Sequence, residues 1–200
     1  MIRMSSEFRA AARQTLRGSW GIAAVATILY LAITSALSAI PVVGGLVALL
    51  MLPLGWGYEV MFLKKNRGES ELELGGMFQG FSDYGRILGT MILTSLYVIL
   101  WSLLLIVPGI IKSYSYSMTN YILNGEPELA YNTAIEKSMA MMDGHKFDLF
   151  VLQLTFIGWG LLCILTLGIG ILWLKPYMSM TTVEFYKDVK AEYEGKLTAE

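Results

Sequence analysis

The chain holds little with which to do covalent or redox chemistry. Of its 200 residues one is cysteine and one is histidine, and only 16% are charged. The lone Cys163 excludes an intrachain disulfide, and no Cys, His, Asp and Glu cluster has the spacing of a zinc site. A formal net charge of −1 gives no reason to expect nucleic acid. Catalysis would need a nucleophile with its base, a carboxylate pair or a metal, and candidates for all three are sparse. His145 stands in Gly144-His145-Lys146-Phe147 between Asp143 and Asp148, and reads as an amphipathic ring at a membrane boundary. Gly85-x-x-x-Gly89 fits a close helix contact rather than a phosphate loop. The expectation is a protein that is not an enzyme and carries no cofactor.

Charge is also missing from long stretches, and those absences set the fold class. Trp20 to Ile40, Ile87 to Val107 and Leu149 to Leu167 contain no Asp, Glu, Lys or Arg over 19 to 21 residues each. A helix of that length crosses about 30 Å of hydrocarbon. With 55% hydrophobic residues and a mean hydropathy of +0.55, the chain reads as an integral membrane protein. The first apolar run is too long for the core of a signal peptide and reads as a retained span.

Residues 5 to 17 place Phe8, Ala11, Ala12, Thr15 and Leu16 on one face of a helix, with Arg9, Arg13 and Arg17 elsewhere. This is the pattern of a basic interfacial helix, capped at Ser5 or Ser6 and ended by Gly18-Ser19-Trp20. After the first span, Pro41 to Gly45 is short enough for a tight turn only, so Leu46 to Leu63 returns, kinked near Pro53, Gly55 and Gly57. Leu74, Met77, Phe78 and Phe81 predict a second surface helix, weakened by Gly75, Gly76 and Gly80. The next span turns at Pro108-Gly109, and Ile110 to Leu123 returns over about 21 Å, short of a full crossing. Pro127 suits the first turn of a third surface helix, in which Tyr131, Ala134, Ile135, Ser138, Met139 and Met142 share a face. A last span turns near Thr166 to Gly170, and Ile171 to Tyr186 returns before a frayed, charged tail.

These passes read as one unit used three times, over 5–64, 72–124 and 127–187, with 188–200 as a cytoplasmic tail. The fold expected is an all-α polytopic membrane domain of six transmembrane or membrane-embedded helices, arranged as three helical hairpins each preceded by an interfacial amphipathic helix. Lys and Arg cluster in the segments outside the Pro/Gly turns, which places both termini in the cytoplasm. Lys112 and Lys175 break that pattern, and both are expected to snorkel to the outer headgroups. A competing reading makes 87–111 and 149–174 single long spans, four passes in all.

Leu103 to Met118, with Pro108-Gly109-Ile110-Ile111-Lys112, then Ser138 to Phe150 and Phe156 to Leu161 resemble hallmark segments of the domain of unknown function 975 family. The resemblance implies a helical protein of the bacterial cytoplasmic membrane, and it supplies no activity or catalytic residues. The chain is also distantly similar to the membrane part of some glycerophosphodiester phosphodiesterases, a hint towards lipids.

Polar groups are costly in hydrocarbon, so the hydroxyl-rich return helices call for an explanation. Glu59, Lys112, Tyr114, Ser117 and Asn120, with Lys175, Tyr177, Thr181 and Glu184, are the candidate lining of a cavity for a lipid headgroup or small solute. Partners expected are the bilayer itself, other membrane proteins or further copies of the chain. The leading reading is a role in envelope or lipid homeostasis or as a membrane subunit, and the alternative is a small transporter or channel.

Overall fold

The structure, a computed structural model, describes residues 2–38, 44–129 and 131–198, and all of their regular elements are helical. In order these are α1 (Ser5–Thr15), α2 (Trp20–Ser38), α3 (Gly44–Leu50), α4 (Leu52–Asn66), a 3-10 segment (Leu74–Phe81), α5 (Tyr84–Leu104), α6 (Ile106–Ser115), α7 (Thr119–Gly125), α8 (Tyr131–Met141), α9 (Lys146–Leu154), α10 (Ile157–Leu165) and α11 (Ile171–Leu197). Three stretches are long and apolar enough to cross a membrane: Gly45–Asn66, Tyr84–Leu104 and Lys146–Leu165. The first is half buried within the protein, whereas the other two present most of their surface outward.

The chain doubles back sharply at two places. A Cβ on Gly109 would lie 2.2 Å from Ser102 Oγ, and one on Gly170 would lie 2.8 Å from Cys163 Sγ. Seven residues along a continuous helix are about 10 Å apart, so both segments are folded hairpins. The unbroken helices through 87–111 and 149–174 that the four-pass reading assumed are therefore absent, each being interrupted by a turn. The second turn falls at Leu105, earlier than the expected Pro108-Gly109; Pro108 instead occupies the first turn of α6, where no amide donor is required. The third turn uses Leu167 and Gly168 at positive φ. The first expected turn, Pro41 to Gly45, lies outside the described residues apart from Gly44 and Gly45, which open α3. The kink expected near Pro53 is the break at Met51 between α3 and α4.

Around these hairpins the surface elements pack as parts of the core. Phe8 and Ala12 of α1 and the Leu16 that follows it are buried, with Phe8 edge-on to Phe185 at 5.5 Å. The amphipathic face of α1 therefore covers α11 and not lipid. Its cap is Met4, whose backbone N–H donates to Glu7 at 2.7 Å, and Ser5 and Ser6 fall inside the first turn. Pro127 lies in the loop before α8 rather than in its first turn. The glycines that weaken the second surface segment have a packing reason. A Cβ on Gly57 would lie 2.0 Å from the Met77 carbonyl oxygen, and one on Gly80 would lie 2.2 Å from that of Pro53. Backbone thus rests on backbone, and the segment is 3-10.

Two further expectations are corrected. The return segment Ile110 to Leu123 is not one helix but the pair α6 and α7, broken at Tyr116 to Met118. The break is bridged by the fully buried Ser138 of α8, whose hydroxyl accepts from Met118 N at 3.2 Å and donates to the Ser115 carbonyl at 2.8 Å. The C-terminal tail is not frayed: α11 runs unbroken to Leu197 with Val189 buried, and Lys190–Glu194 and Lys196–Glu192 pair one turn apart.

Substitutions at the glycines and at Ser138 test this packing by thermal unfolding of the detergent-solubilised protein. Gly57→Ala or Gly80→Ala forces backbone apart and costs about 1–3 kcal/mol or more, whereas Gly21→Ala, with open space around it, is tolerated. Ser138→Ala strands a buried amide and carbonyl, and lowers stability by about 1–3 kcal/mol.

Candidate functional site

The three return segments converge on one cavity of about 480 Å³. From α4 comes Glu59, from the α6–α7 region Ser117, Asn120 and Tyr121, and from α11 Lys175 and Ser179. Gln153 of α9 and Thr182 of α11 complete its polar walls, while Ile171, Leu174 and Met178 supply apolar ones. Side chains three or four residues apart on a helix share a face, which is why Lys175, Ser179 and Thr182 line up along α11.

The Glu59 carboxylate is held by donors from two elements: Ser179 Oγ at 3.1 Å and Tyr121 OH at 3.3 Å. Lys175 Nζ does not sit on that carboxylate. It lies 3.6 Å from the centre of the Tyr30 ring and 4.7 Å from that of Tyr58, in two cation–π contacts. Tyr58 is fixed in turn by a 2.8 Å hydrogen bond with Thr27. The cavity therefore presents a carboxylate and an ammonium on separate supports, each with capacity left for a further partner. This suits a small zwitterion, or a headgroup bearing both charges.

Of the residues singled out from sequence, Glu59, Ser117, Asn120 and Lys175 line this cavity. Tyr114 stands one step behind it, donating to Gln153 Oε1 at 2.8 Å. The other four are elsewhere. Lys112 stays on its own hairpin, 5.0 Å from the Trp101 ring centre. Tyr177 turns to the opposite side of α11, where its hydroxyl donates to the Arg9 carbonyl at 3.2 Å and accepts from Arg13 at 3.0 Å. Thr181 is buried and donates to the Tyr177 carbonyl of its own helix.

Glu184 is the clearest correction. It is buried two residues past Thr182 but outside the cavity, where it accepts from Arg3 at 3.0 Å and from Asn66 at 2.5 Å. Arg3 also binds Asp188 at 2.7 Å, and its pKa is raised above the ordinary arginine value, first by the Asp188 hydrogen bond. Glu184 thus clamps the N-terminus and the end of α4 to α11. An acidic residue on the polar side of a return helix looks the same in sequence whether it lines a cavity or meets an arginine from 181 residues away.

Sequence reasoning left out Tyr30, Tyr58 and Gln153 as lining or supporting residues. The tyrosines carry no signal inside apolar runs. Gln153 does, as the one amide in a long uncharged stretch. His145, by contrast, lies at the other end of α11, within 3.3 Å of Glu192 and 3.4 Å of Asp148.

No curated protein and no solved structure matches the chain. A family model described as Protein of unknown function (DUF975) matches residues 103–193, which span α6 to α11 and the Ser117, Asn120, Gln153, Lys175 and Ser179 part of the cavity. Over this C-terminal stretch the chain is similar to the DUF975 family.

Proposed function

We propose that this is a non-enzymatic protein of the bacterial cytoplasmic membrane, acting in envelope or lipid homeostasis by holding a zwitterionic lipid headgroup in the Glu59–Lys175 cavity. The observation that carries this reading is the convergence of polar side chains from all three return segments on one cavity whose two charges stand on separate supports. An ammonium-bearing phosphodiester headgroup matches both: its ammonium meets Glu59 and its phosphate meets Lys175.

In this reading both termini are cytoplasmic and the hairpins dip in from that face, their tips ending inside the hydrocarbon. Leu103 to Val107 are five successive exposed apolar residues, and Leu167 at the third tip is 94% exposed. Neither tip carries a charged residue suited to outer water. Depth supports the same view. The Tyr177 hydroxyl bonds to the backbone of basic helix α1, yet Tyr177 is only seven residues, about 10 Å of helix, beyond Gly170. Ser138 of α8 bonds to Ser115, ten residues or about 15 Å from the turn at Leu105. Surface helices that near to both tips leave room for about half of a 30 Å hydrocarbon layer.

Six complete passes, with three repeated hairpins around a polar interior, are the second reading. It is favoured by the 21-residue length of Tyr84–Leu104 and by Lys112, whose ammonium leans towards Trp101 near the tip as it would at an outer interface. That topology gives the cavity two-sided access and makes the protein a small transporter or channel.

Native mass spectrometry of the purified protein with phosphatidylethanolamine tests the ligand. Wild type retains the lipid, and Glu59→Gln and Lys175→Met each weaken retention about tenfold, the worth of one charge-assisted hydrogen bond of about 1.5 kcal/mol. Equal retention by all three proteins contradicts the site. Topology is read in intact cells with an impermeant thiol reagent, using cysteine introduced at Leu167 in a Cys163→Ser background. Partial insertion leaves it unlabelled, and six passes expose it from outside.

A further inference from the structure

On the side of α11 opposite the Glu59 cavity lies a second cavity of about 350 Å³. Its walls come from α2, α10 and α11, and they include three of the five tryptophans in the chain, Trp20, Trp159 and Trp173, together with Leu162 and Leu174. At one end stand Arg13 and Tyr177. Neither this cavity nor its tryptophans belong to the site described above, apart from Leu174, which borders both.

The arginines beside it lack an anion. Arg13 lines the cavity, Arg9 lies one turn earlier on α1 with its carbonyl held by the cavity's Tyr177, Arg17 follows just beyond the end of α1, and among the described residues none of the three forms an ion pair. Arg13 donates to the Tyr177 hydroxyl at 3.0 Å, a neutral acceptor that leaves its charge uncompensated. Arg9 is more telling: its Nε is buried and has no hydrogen-bond partner. A buried guanidinium donor without an acceptor is costly, and its neighbour Tyr177 is already engaged with the Arg9 carbonyl. The chain does pair arginine elsewhere, since Arg3 takes both Glu184 and Asp188. Carboxylates are thus within the fold's means, and this mouth has none.

An apolar trough lined by indole rings, with a guanidinium pair at its headgroup end, has the polarity of one phospholipid: acyl chain in the trough, phosphate on the arginines. Indoles favour the interface, and guanidinium binds phosphate in a two-pronged fashion that lysine cannot match. We infer that Arg9 and Arg13 with the Trp20–Trp159–Trp173 trough form a site for an anionic phospholipid of the cytoplasmic leaflet. The net anionic class follows from the absence of any acidic side chain among the cavity-lining residues, which leaves a zwitterionic ammonium unmatched. This rests on the membrane reading above but not on the Glu59 cavity, which selects the opposite headgroup character.

The test is native mass spectrometry of the full chain carrying Glu59→Gln and Lys175→Met, which silence the first cavity, in detergent with phosphatidylglycerol, phosphatidylcholine of the same acyl chains, and soluble glycerol phosphate. The site predicts retention of phosphatidylglycerol at least tenfold above phosphatidylcholine, with glycerol phosphate unable to displace it because it lacks the chain. Arg9→Gln with Arg13→Gln removes the headgroup preference, and Trp159→Ala weakens retention while keeping the preference. Lys187→Gln, which removes an exposed cytoplasmic charge away from the trough, leaves both unchanged. Folding of each variant is checked by circular dichroism, and should the arginine pair fail to fold, Trp159→Ala alone decides through its loss of retention. Equal retention of the two lipids by the protein with the first cavity silenced, displacement by glycerol phosphate, or an effect of Lys187→Gln equal to that of the arginine pair overturns the proposal.

Discussion

The fold depends on how α11 is wrapped. Along its 27 residues this helix carries apolar, hydroxyl and charged stretches in turn, and no one environment suits all three. The protein supplies a separate partner for each. The α10 hairpin and α2 cover the apolar start, Glu59 and the α7 residues meet the hydroxyl stretch, and α1 with Arg3 satisfies Glu184 and Asp188. Polar groups removed from water must be paired inside the protein, and that requirement pulls N-terminal and C-terminal segments together across nearly the full sequence.

Wrapping α11 also creates the two cavities. On one side Lys175 and Ser179 face α4 and α7; on the other Tyr177 faces α1 and Trp173 faces α10. One helix thereby separates a zwitterionic pocket from a cationic, indole-lined trough. The two differ in the charge they offer.

Much of this was legible in the sequence, because uncharged runs, surface amphipathicity and Pro/Gly turns are local signals. The helical class, a doubling-back of the chain after the Ile87 run and the gathering of Glu59 with Lys175 follow from them. What was not legible depended on distant partners. Glu184 and Tyr177 sit on the same polar helix as Lys175, and only the position of α1 reveals that they face away from the cavity. The break at Tyr116 to Met118 is invisible for the same reason: it is bridged by a serine of α8. Gly57 and Gly80 weaken helix propensity locally and are explained only by backbone contact with each other's segments.

The central claim is that polar helices wrapped on α11 hold short apolar hairpins in one half of a bilayer. Spin labels at Val107 and Leu167 in lipid nanodiscs, with power-saturation measurements against oxygen and a water-soluble nickel chelate, address it directly. The account predicts high oxygen and low nickel accessibility at both tips, the signature of the hydrocarbon interior. Nickel accessibility equal to that of an aqueous loop would contradict it.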